Sequence, residues 1–279
     1  MDNAQLQTME RSLPLPVTVR RVPEAWLSFL RVLTGSPAIL ALIALWEVAP
    51  RVGLVEPAFL TPFSDVMAAT WQLIRNGQLA EHVGASLSRS LIGFGASIVI
   101  AVPLGLAIGA SRKVYDFINP LLEVFRNTAA LALLPVFILL LGIGEASKIA
   151  IVLYVCSWSI LLNTITGVRT VDPLLIKSAR TMGLGRAALL RKVTLPAALP
   201  TIFTGIRLAG SSSLLVLVAA EMVGAKAGLG YLIQYSQYNF QIPQMYAGII
   251  TTTVLGLSFA KALLMIERRF TSWQPPASH

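Results

Sequence analysis

The sequence predicts an all-α integral membrane protein with six transmembrane helices and a long cytoplasmic loop. Three observations predict it. Of 279 residues, 55% are hydrophobic and 13% charged, with a mean hydropathy of +0.72, against about 25% charged residues in an ordinary soluble domain. Several stretches carry no charge over the ~20 residues needed to cross ~30 Å of hydrocarbon. The basic residues behind the net charge of +9 gather in alternate connecting segments. These features exclude a disordered chain, a disulfide scaffold and a nucleic-acid-binding domain. Cys156 is the single cysteine, so no intrachain disulfide forms, and its apolar surroundings suit a buried packing role. His82 and His279 have no cysteine near them, which speaks against zinc.

The elements follow in order. Residues 1–36 mix Pro, Arg and polar side chains and read as a cytoplasmic tail with an interfacial helix near 26–33; they lack a signal-peptide cleavage site. Residues 37–265 form the six-helix membrane domain, and 266–279 a cytoplasmic tail. Three spans are charge-free: 90–111, 127–144 and 149–168. The first span, 38–54, tolerates Glu47 and Arg51 near its outer end. The fifth, about 202–223, contains Arg207 and ends near Glu221; the sixth, about 243–260, follows a polar stretch too hydrophilic to span. Between spans one and two, Thr61-Pro62-Phe63-Ser64 starts an amphipathic outer helix with Ser64 as N-cap. Val66, Ala69, Thr70, Leu73 and Ile74 share its apolar face, up to Gly77.

Orientation comes from the connecting segments. With a cytoplasmic N-terminus, the inner segments hold Arg11, Arg20, Arg21 and Arg31, then Arg112, Lys113 and Arg126, then Arg169, Lys177, Arg180, Arg186, Arg191 and Lys192, then Arg268 and Arg269. The outer segments hold Arg51, Arg75, Lys148 and Lys226. Both termini are therefore expected in the cytoplasm.

Within the spans, Gly105-x-x-x-Gly109 with Ala101 and Ala107 makes a small-residue face for close helix approach, either inside the subunit or at a dimer seam. Pro103, Pro120 and Pro135 mark kinks or breaks. Arg89 and Arg207 lie near span ends, within snorkelling reach of water. Glu221 reads either as a structural partner or as a pathway-lining group. Asn163, Thr164 and Thr166, with Ser211, Ser212 and Ser213, offer weak polar contacts along the same pathway, and Trp158 reads as core.

The inner segment 169–201 is the longest cytoplasmic connection. Asp172-Pro173 is a helix start, a carboxylate N-cap followed by proline at the first helical position. Leu174, Leu175, Ser178, Ala179 and Met182 give an apolar-to-small face, and Gly183 suits a left-handed C-terminal cap. A second short helix, about 186–193, then climbs to Leu195-Pro196 and Leu199-Pro200 before span five. On the residues alone, this knob is either a hairpin without a partner or a docking element.

Here the chain resembles the permeases of bacterial binding-protein-dependent ABC importers, whose cytoplasmic loop reads E-A-A, three residues, G, nine residues, I-x-L-P. Lys177-Ser178-Ala179, Gly183 and Val193-Thr194-Leu195-Pro196 stand at that spacing, with Lys177-Ser178 in place of Glu-Ala. The resemblance covers roughly 60–270. Asn119-Pro120-Leu121, Gly142-Ile143-Gly144-Glu145, Gly167-Val168-Arg169-Thr170-Val171-Asp172 and Ala219-Ala220-Glu221 look like the sulfonate, taurine, nitrate and bicarbonate branch.

The resemblance implies a type I ABC importer-like fold in a bacterial inner membrane. It implies a coupling helix that docks on a separate ATPase subunit, two copies of the chain, two ATPase subunits carrying ATP and Mg, and an external substrate-binding protein. It also implies import of a small organic anion, sulfonate or taurine ahead of nitrate or bicarbonate. The chain has no G-x-x-x-x-G-K-[ST], so it has no phosphate cradle of its own and no expected catalytic residue or metal. Gly93-x-Gly95, Gly183-x-Gly185 and Gly228-x-Gly230 read as packing or turn devices. An integral membrane enzyme would need an acid/base or metal cluster at one membrane face, which the sequence lacks. A secondary transporter would rest on Glu47 and Glu221 alone.

Overall fold

A computed structural model describes residues 37–56 and 58–270, which are helical with short connections and contain no strand. They fall into two units, one ending at Val55 and one beginning at Glu56. The first contains α1, Pro37–Arg51, whose Glu47 pairs with Arg51 at 2.5 Å across one turn. The interfacial helix and tail expected in 1–36 lie outside the described residues.

The second unit opens with α2, Phe63–Arg75, which buries Val66, Ala69 and Leu73. Its N-cap is Pro62, not the expected Ser64, because the extended backbone at Pro62 (φ −51°, ψ 144°) lets the helix start at Phe63. Ile74 is exposed rather than on the buried face. After Gly77 comes α3, Gln78–Gly109, longer than the charge-free stretch by three turns and continuous through Pro103. Then follow α4, Arg112–Arg126; a short 3₁₀ turn, Ala130–Leu133; and α5, Leu134–Leu141. The remaining elements are α6, Glu145–Arg169; α7, Pro173–Thr181; α8, Arg186–Leu189; α9, Leu195–Glu221; α10, Leu229–Tyr238; and α11, Ile242–Phe270.

The core is built on α6, flanked by α3 and α9. Glycines of α3 meet α6 in step: a Cβ at Gly93 would stand 2.8 Å from Val152 Cβ, one at Gly105 2.7 Å from Thr164 Cβ, and one at Gly109 2.8 Å from Val168 Cβ. Both positions advance together, so α3 and α6 run parallel. On the other side Gly205 of α9 meets Asn163, and Gly167 of α6 meets Thr201, so the partners move in opposite directions and α9 is antiparallel. The small-residue face of α3 is thus spent inside the subunit; Ala101 shares it, while Ala107 is exposed. Phe94, Ile108, Val152, Cys156, Ile160 and Leu217 fill the remaining core, and Phe259 and Leu263 of α11 close over it.

Two parallel helices in sequence require a return crossing, and here the expected span over 127–144, with its kink or break at Pro135, covers only the second part of a bent pair. The chain returns through α4 and α5, which are bent by 85° across the 3₁₀ turn. The described residues contain four helices long and apolar enough to cross a membrane, or five if this bent pair is one crossing.

A second difference concerns span five, where no break separates the loop from the membrane helix. A π-turn at Leu190–Thr194 joins α8 to α9. The wide turn lies immediately before Pro196, whose ring would otherwise crowd the carbonyl four residues back. The result is one apolar helix over Ala187–Glu221. The sixth span is likewise longer than its apolar stretch: α11 runs from Ile242 to Phe270 and carries Arg268 and Arg269 in its last turn.

Candidate functional site

The two ends of α6 carry two different arrangements, about 37 Å apart at 1.5 Å per residue. At the N-terminal end, charged side chains close a clamp. Glu221, at the last turn of α9, is 1% exposed. Arg89 Nη1 donates to Glu221 Oε1 at 2.7 Å and to the Ala227 carbonyl at 2.7 Å. Its Nη2 donates to Glu145 Oε1 at 2.6 Å, and its Nε also donates to Glu145. The Ser86 hydroxyl lies 2.9 and 2.8 Å from the two Glu221 oxygens and accepts the Leu229 N–H at 2.8 Å.

The segment held by this clamp is the start of α10. The Gly228 N–H donates to His82 Nδ1 at 3.2 Å, and the Gly230 N–H donates to Glu221 Oε2 at 3.0 Å. Three successive N–H groups at a helix start, which no intrahelical acceptor serves, are satisfied by side chains of α3 and α9. The carboxylate also sits at the positive end of the α10 dipole. Gly228 has φ +125°, and a Cβ there would stand 2.5 Å from both Glu221 oxygens; at Gly230 it would run into the Val218 carbonyl. Gly228-x-Gly230 is therefore the turn device that lets the backbone reach the carboxylate.

Lys148, assigned by sequence to an outer loop, instead lies in the first turn of α6. It is 2% exposed and donates to the Gly144 carbonyl at 3.1 Å. It lies among the charges of the clamp, repelled by Arg89 and attracted by Glu145 and Glu221. Beside the clamp lies an open cleft of about 480 Å³ lined by residues including Glu81, His82, Tyr231, Tyr235 and Gln244.

At the C-terminal end of α6 stands the knob. Asp172 Oδ1 accepts the Leu174 N–H at 2.7 Å, and Pro173 occupies the first helical position, as the sequence predicts. Gly183 has φ +80° and closes α7 by donating to the Arg180 carbonyl at 2.9 Å; the Leu184 N–H reaches Ala179 O at 3.2 Å. Ala179 is 3% exposed and anchors the helix to the domain. Leu174 (68% exposed), Leu175 (52%) and Met182 (73%) stand outward with Ser178 and Lys177. Beyond Gly183, Val193 and Leu195 are half-buried, and Pro196 is exposed at the start of α9.

The other predicted residues are spread along the membrane helices. Thr164 is fully enclosed against Gly105 and donates to the Ile160 carbonyl. Asn163 lies beneath Gly205 and donates to Ser159 O. Ser211 is exposed and Ser212 half-buried, each donating to its own helix one turn back. Arg207 pairs with Glu267 of α11 at 3.3 Å. Sequence reasoning missed the clamp roles of Ser86, Arg89, Glu145 and Lys148. The available signals were Arg89 and Glu221, two ionisable residues of opposite sign in or at the end of apolar stretches. Among the described residues no group of three or more His, Cys, Asp or Glu is placed to hold a metal.

Known proteins resemble this chain over most of its length. Residues 97–272 match the family described as binding-protein-dependent transport system inner membrane component. The taurine transport system permease protein TauC of Escherichia coli is 30% identical over 259 residues, covering 91% of this chain and 94% of its own length. A putative aliphatic sulfonates transport permease protein, SsuC of Bacillus subtilis, is 32% identical over 238 residues, covering 85% and 86%. Among solved structures, the inward-facing MetNI methionine ABC transporter aligns with a TM-score of 0.62 at 23% identity, covering 72% of this chain and 97% of that one. That likeness establishes a type I importer-like fold. A multi-pass inner-membrane protein of apolar helices, with a knob at one end of α6, this chain belongs to the binding-protein-dependent transport system inner membrane components as a permease subunit of an ABC importer.

Proposed function

We propose that two copies of this chain form the membrane pathway of an importer for a small organic anion, sulfonate or taurine first. ATP hydrolysis, with Mg, on two separate ABC ATPase subunits drives uptake, and an external binding protein delivers the solute. In this reading the chain makes six crossings, with α1 as the first and both termini in the cytoplasm. Lys177, Ser178, Ala179, Gly183, Val193, Leu195 and Pro196 form the coupling element; Asn163, Ser211 and Ser212 contribute polar groups towards the pathway, and the enclosed Thr164 and Glu221 hold the helices behind it.

One observation carries the reading: the outward ridge of Leu174, Leu175, Ser178 and Met182 on α7. Apolar side chains exposed on a short helix fixed at both ends by its caps mark an interaction surface. α7 turns at Gly183 into α8, and α8 continues through the π-turn into α9, whose far end holds Glu221, so a displacement passed from α7 to α8 is carried along one continuous helix towards the clamp. The names of the taurine and sulfonate relatives support the solute class.

The test is Met182→Asp combined with Leu174→Asp in the assembled transporter. Co-purification of the ATPase subunit and ATP hydrolysis stimulated by loaded binding protein are both expected to fall, with membrane levels unchanged. Wild-type values for both would overturn the coupling role.

A further inference from the structure

The return crossing carries polar residues at a depth where lipid does not tolerate them. Tyr115 of α4 lies beneath Arg169 at the end of α6, with the guanidinium carbon 3.7 Å from the ring centroid. Ten residues later Phe125 stacks on Trp158, with centroids 5.4 Å apart and rings 9° from parallel, and Tyr154 donates to the Phe125 carbonyl at 3.2 Å. Both intervals correspond to about 15 Å of helix, so α4 runs antiparallel beside the loop-side half of α6. Trp158 lies midway along the uncharged stretch 149–168 of α6. The C-terminal end of α4 therefore reaches the middle of the hydrocarbon.

Three stripes run along α4 at alternating three- and four-residue spacing. Tyr115, Ile118 and Leu122 pack on the core. Val114, Phe117, Leu121 and Val124 are exposed apolar residues, suited to lipid. The third stripe is Arg112, Asp116, Asn119, Glu123 and Arg126, about 80° wide at 100° per residue. Its four charged members are exposed. Among the described residues they pair only within the stripe, Arg112 with Asp116 at 3.8 Å and Arg126 with Glu123 at 3.5 Å. Charged groups at membrane depth face water or a bundle interior, not acyl chains. Beyond Arg126 the chain turns by 85° into the wholly apolar α5.

We infer that the stripe Arg112–Asp116–Asn119–Glu123–Arg126 lines a water-filled vestibule open on the side of the α7 loop and closed at mid-depth by the turn into α5. Its charges are balanced and mutually paired, so a hydrophilic solute passes without meeting an uncompensated ion. The assignment rests on the chain being a transport-pathway subunit and adds a helix to that pathway.

The test uses single-cysteine variants in the assembled transporter in inside-out membrane vesicles: Asn119→Cys and Glu123→Cys on the stripe, Phe117→Cys, Leu121→Cys and Val124→Cys off it. The parent chain, whose Cys156 is fully enclosed, gives the blank. A charged methanethiosulfonate reagent should modify the stripe positions about tenfold faster or more, because the thiolate is the reactive form and apolar surroundings suppress it. Spin labels at the same positions should be relaxed by a nickel chelate on the stripe and by oxygen off it. Equal reactivity around the helix, or an unreactive Glu123→Cys with lipid-like relaxation, would overturn the vestibule. ATPase co-purification, scored in the same preparations, tests the transporter reading separately.

Discussion

Arg89 Nη1 lies 2.7 Å from Glu221 Oε1, the arginine side chain 5% exposed and the carboxylate fully enclosed. A cation three turns into α3 and an anion from the end of α9 meet out of solvent, and the same guanidinium reaches Glu145 at the head of α6. One side chain of α3 thus ties the head of α6 to the end of α9. Such a pair contributes little net stability, because desolvating two ions offsets most of their attraction. Its value is geometric: it fixes where the segment after α9 turns back.

Breaking that pair on one side should cost far more than removing it whole. Arg89→Ala strands the buried Glu221 charge, and Glu221→Ala removes the acceptor of Arg89 Nη1 and of the Gly230 N–H; each should destabilise the protein by about 3–5 kcal/mol. Arg89→Met with Glu221→Leu should cost clearly less than either single change. Glu145→Ala should cost about 1 kcal/mol or less, because that carboxylate is 65% exposed. Thermal unfolding in detergent measures all four, and a double variant worse than both singles would refute the argument.

Glycine at 228 is required for contact as well as for conformation, and a comparison with Gly77 separates the two. Gly77 has φ +73° with open space where a Cβ would stand, so Gly77→Ala should cost about 1–2 kcal/mol from the left-handed backbone alone. Gly228→Ala adds collision with the Glu221 carboxylate. It should be the more destabilising of the two by the same thermal measurement, and Glu221→Ala should partly relieve it. Equal losses at both positions would remove the contact term.

The parallel seam gives a third expectation. Gly105→Ala pushes a Cβ to 2.7 Å from Thr164 Cβ, whereas Gly95 has nothing within 4 Å. Overpacking should cost about 1–3 kcal/mol at 105, while Gly95→Ala should be neutral or stabilise by up to about 1 kcal/mol through lower chain entropy. Membrane expression level and unfolding temperature report both.

What the sequence made legible was local. Asp172-Pro173 and Gly183 bracket one short helix, so their capping roles could be read from neighbours, and the structure has both. The clamp was not legible because its partners are distant: Arg89 is 56 residues from Glu145 and 132 from Glu221. Span 127–144 misled for a related reason. Its lack of charge marks only the apolar second part of a bent helix pair that begins at Arg112, and the first part carries exposed charged residues that no charge-free stretch can include. Lys148 looked like an outer-loop residue for the same reason, since only its fold-level burial shows it inside α6.

The orientation that the basic residues predict is checked directly. A protease site inserted between 177 and 192 should be cut from the cytoplasmic side, and one at 234–241 from outside. Reversed accessibility at either position would overturn the orientation and with it the assignment of α7 as the ATPase-facing element.

Gly183 offers the sharpest separation between folding and coupling. Its φ of +80° is a conformation β-branched residues almost never adopt, yet a Cβ there would meet nothing within 4 Å. A substitution therefore acts through backbone strain and not through a clash. Gly183→Val should shift the turn that sets the angle between α7 and α8, and so the ridge of Leu174, Leu175 and Met182. Gly183→Asn should be mild, because asparagine tolerates the left-handed region. The loop lies beyond the end of α6, so insertion of the membrane helices should survive in both. In the reconstituted complex, Gly183→Val is expected to lose ATP hydrolysis stimulated by loaded binding protein, with Gly183→Asn close to the parent. Full stimulation with valine at this position would mean that the strained turn does not set the docking geometry, and coupling would then have to be sought in the side chains of α7 alone.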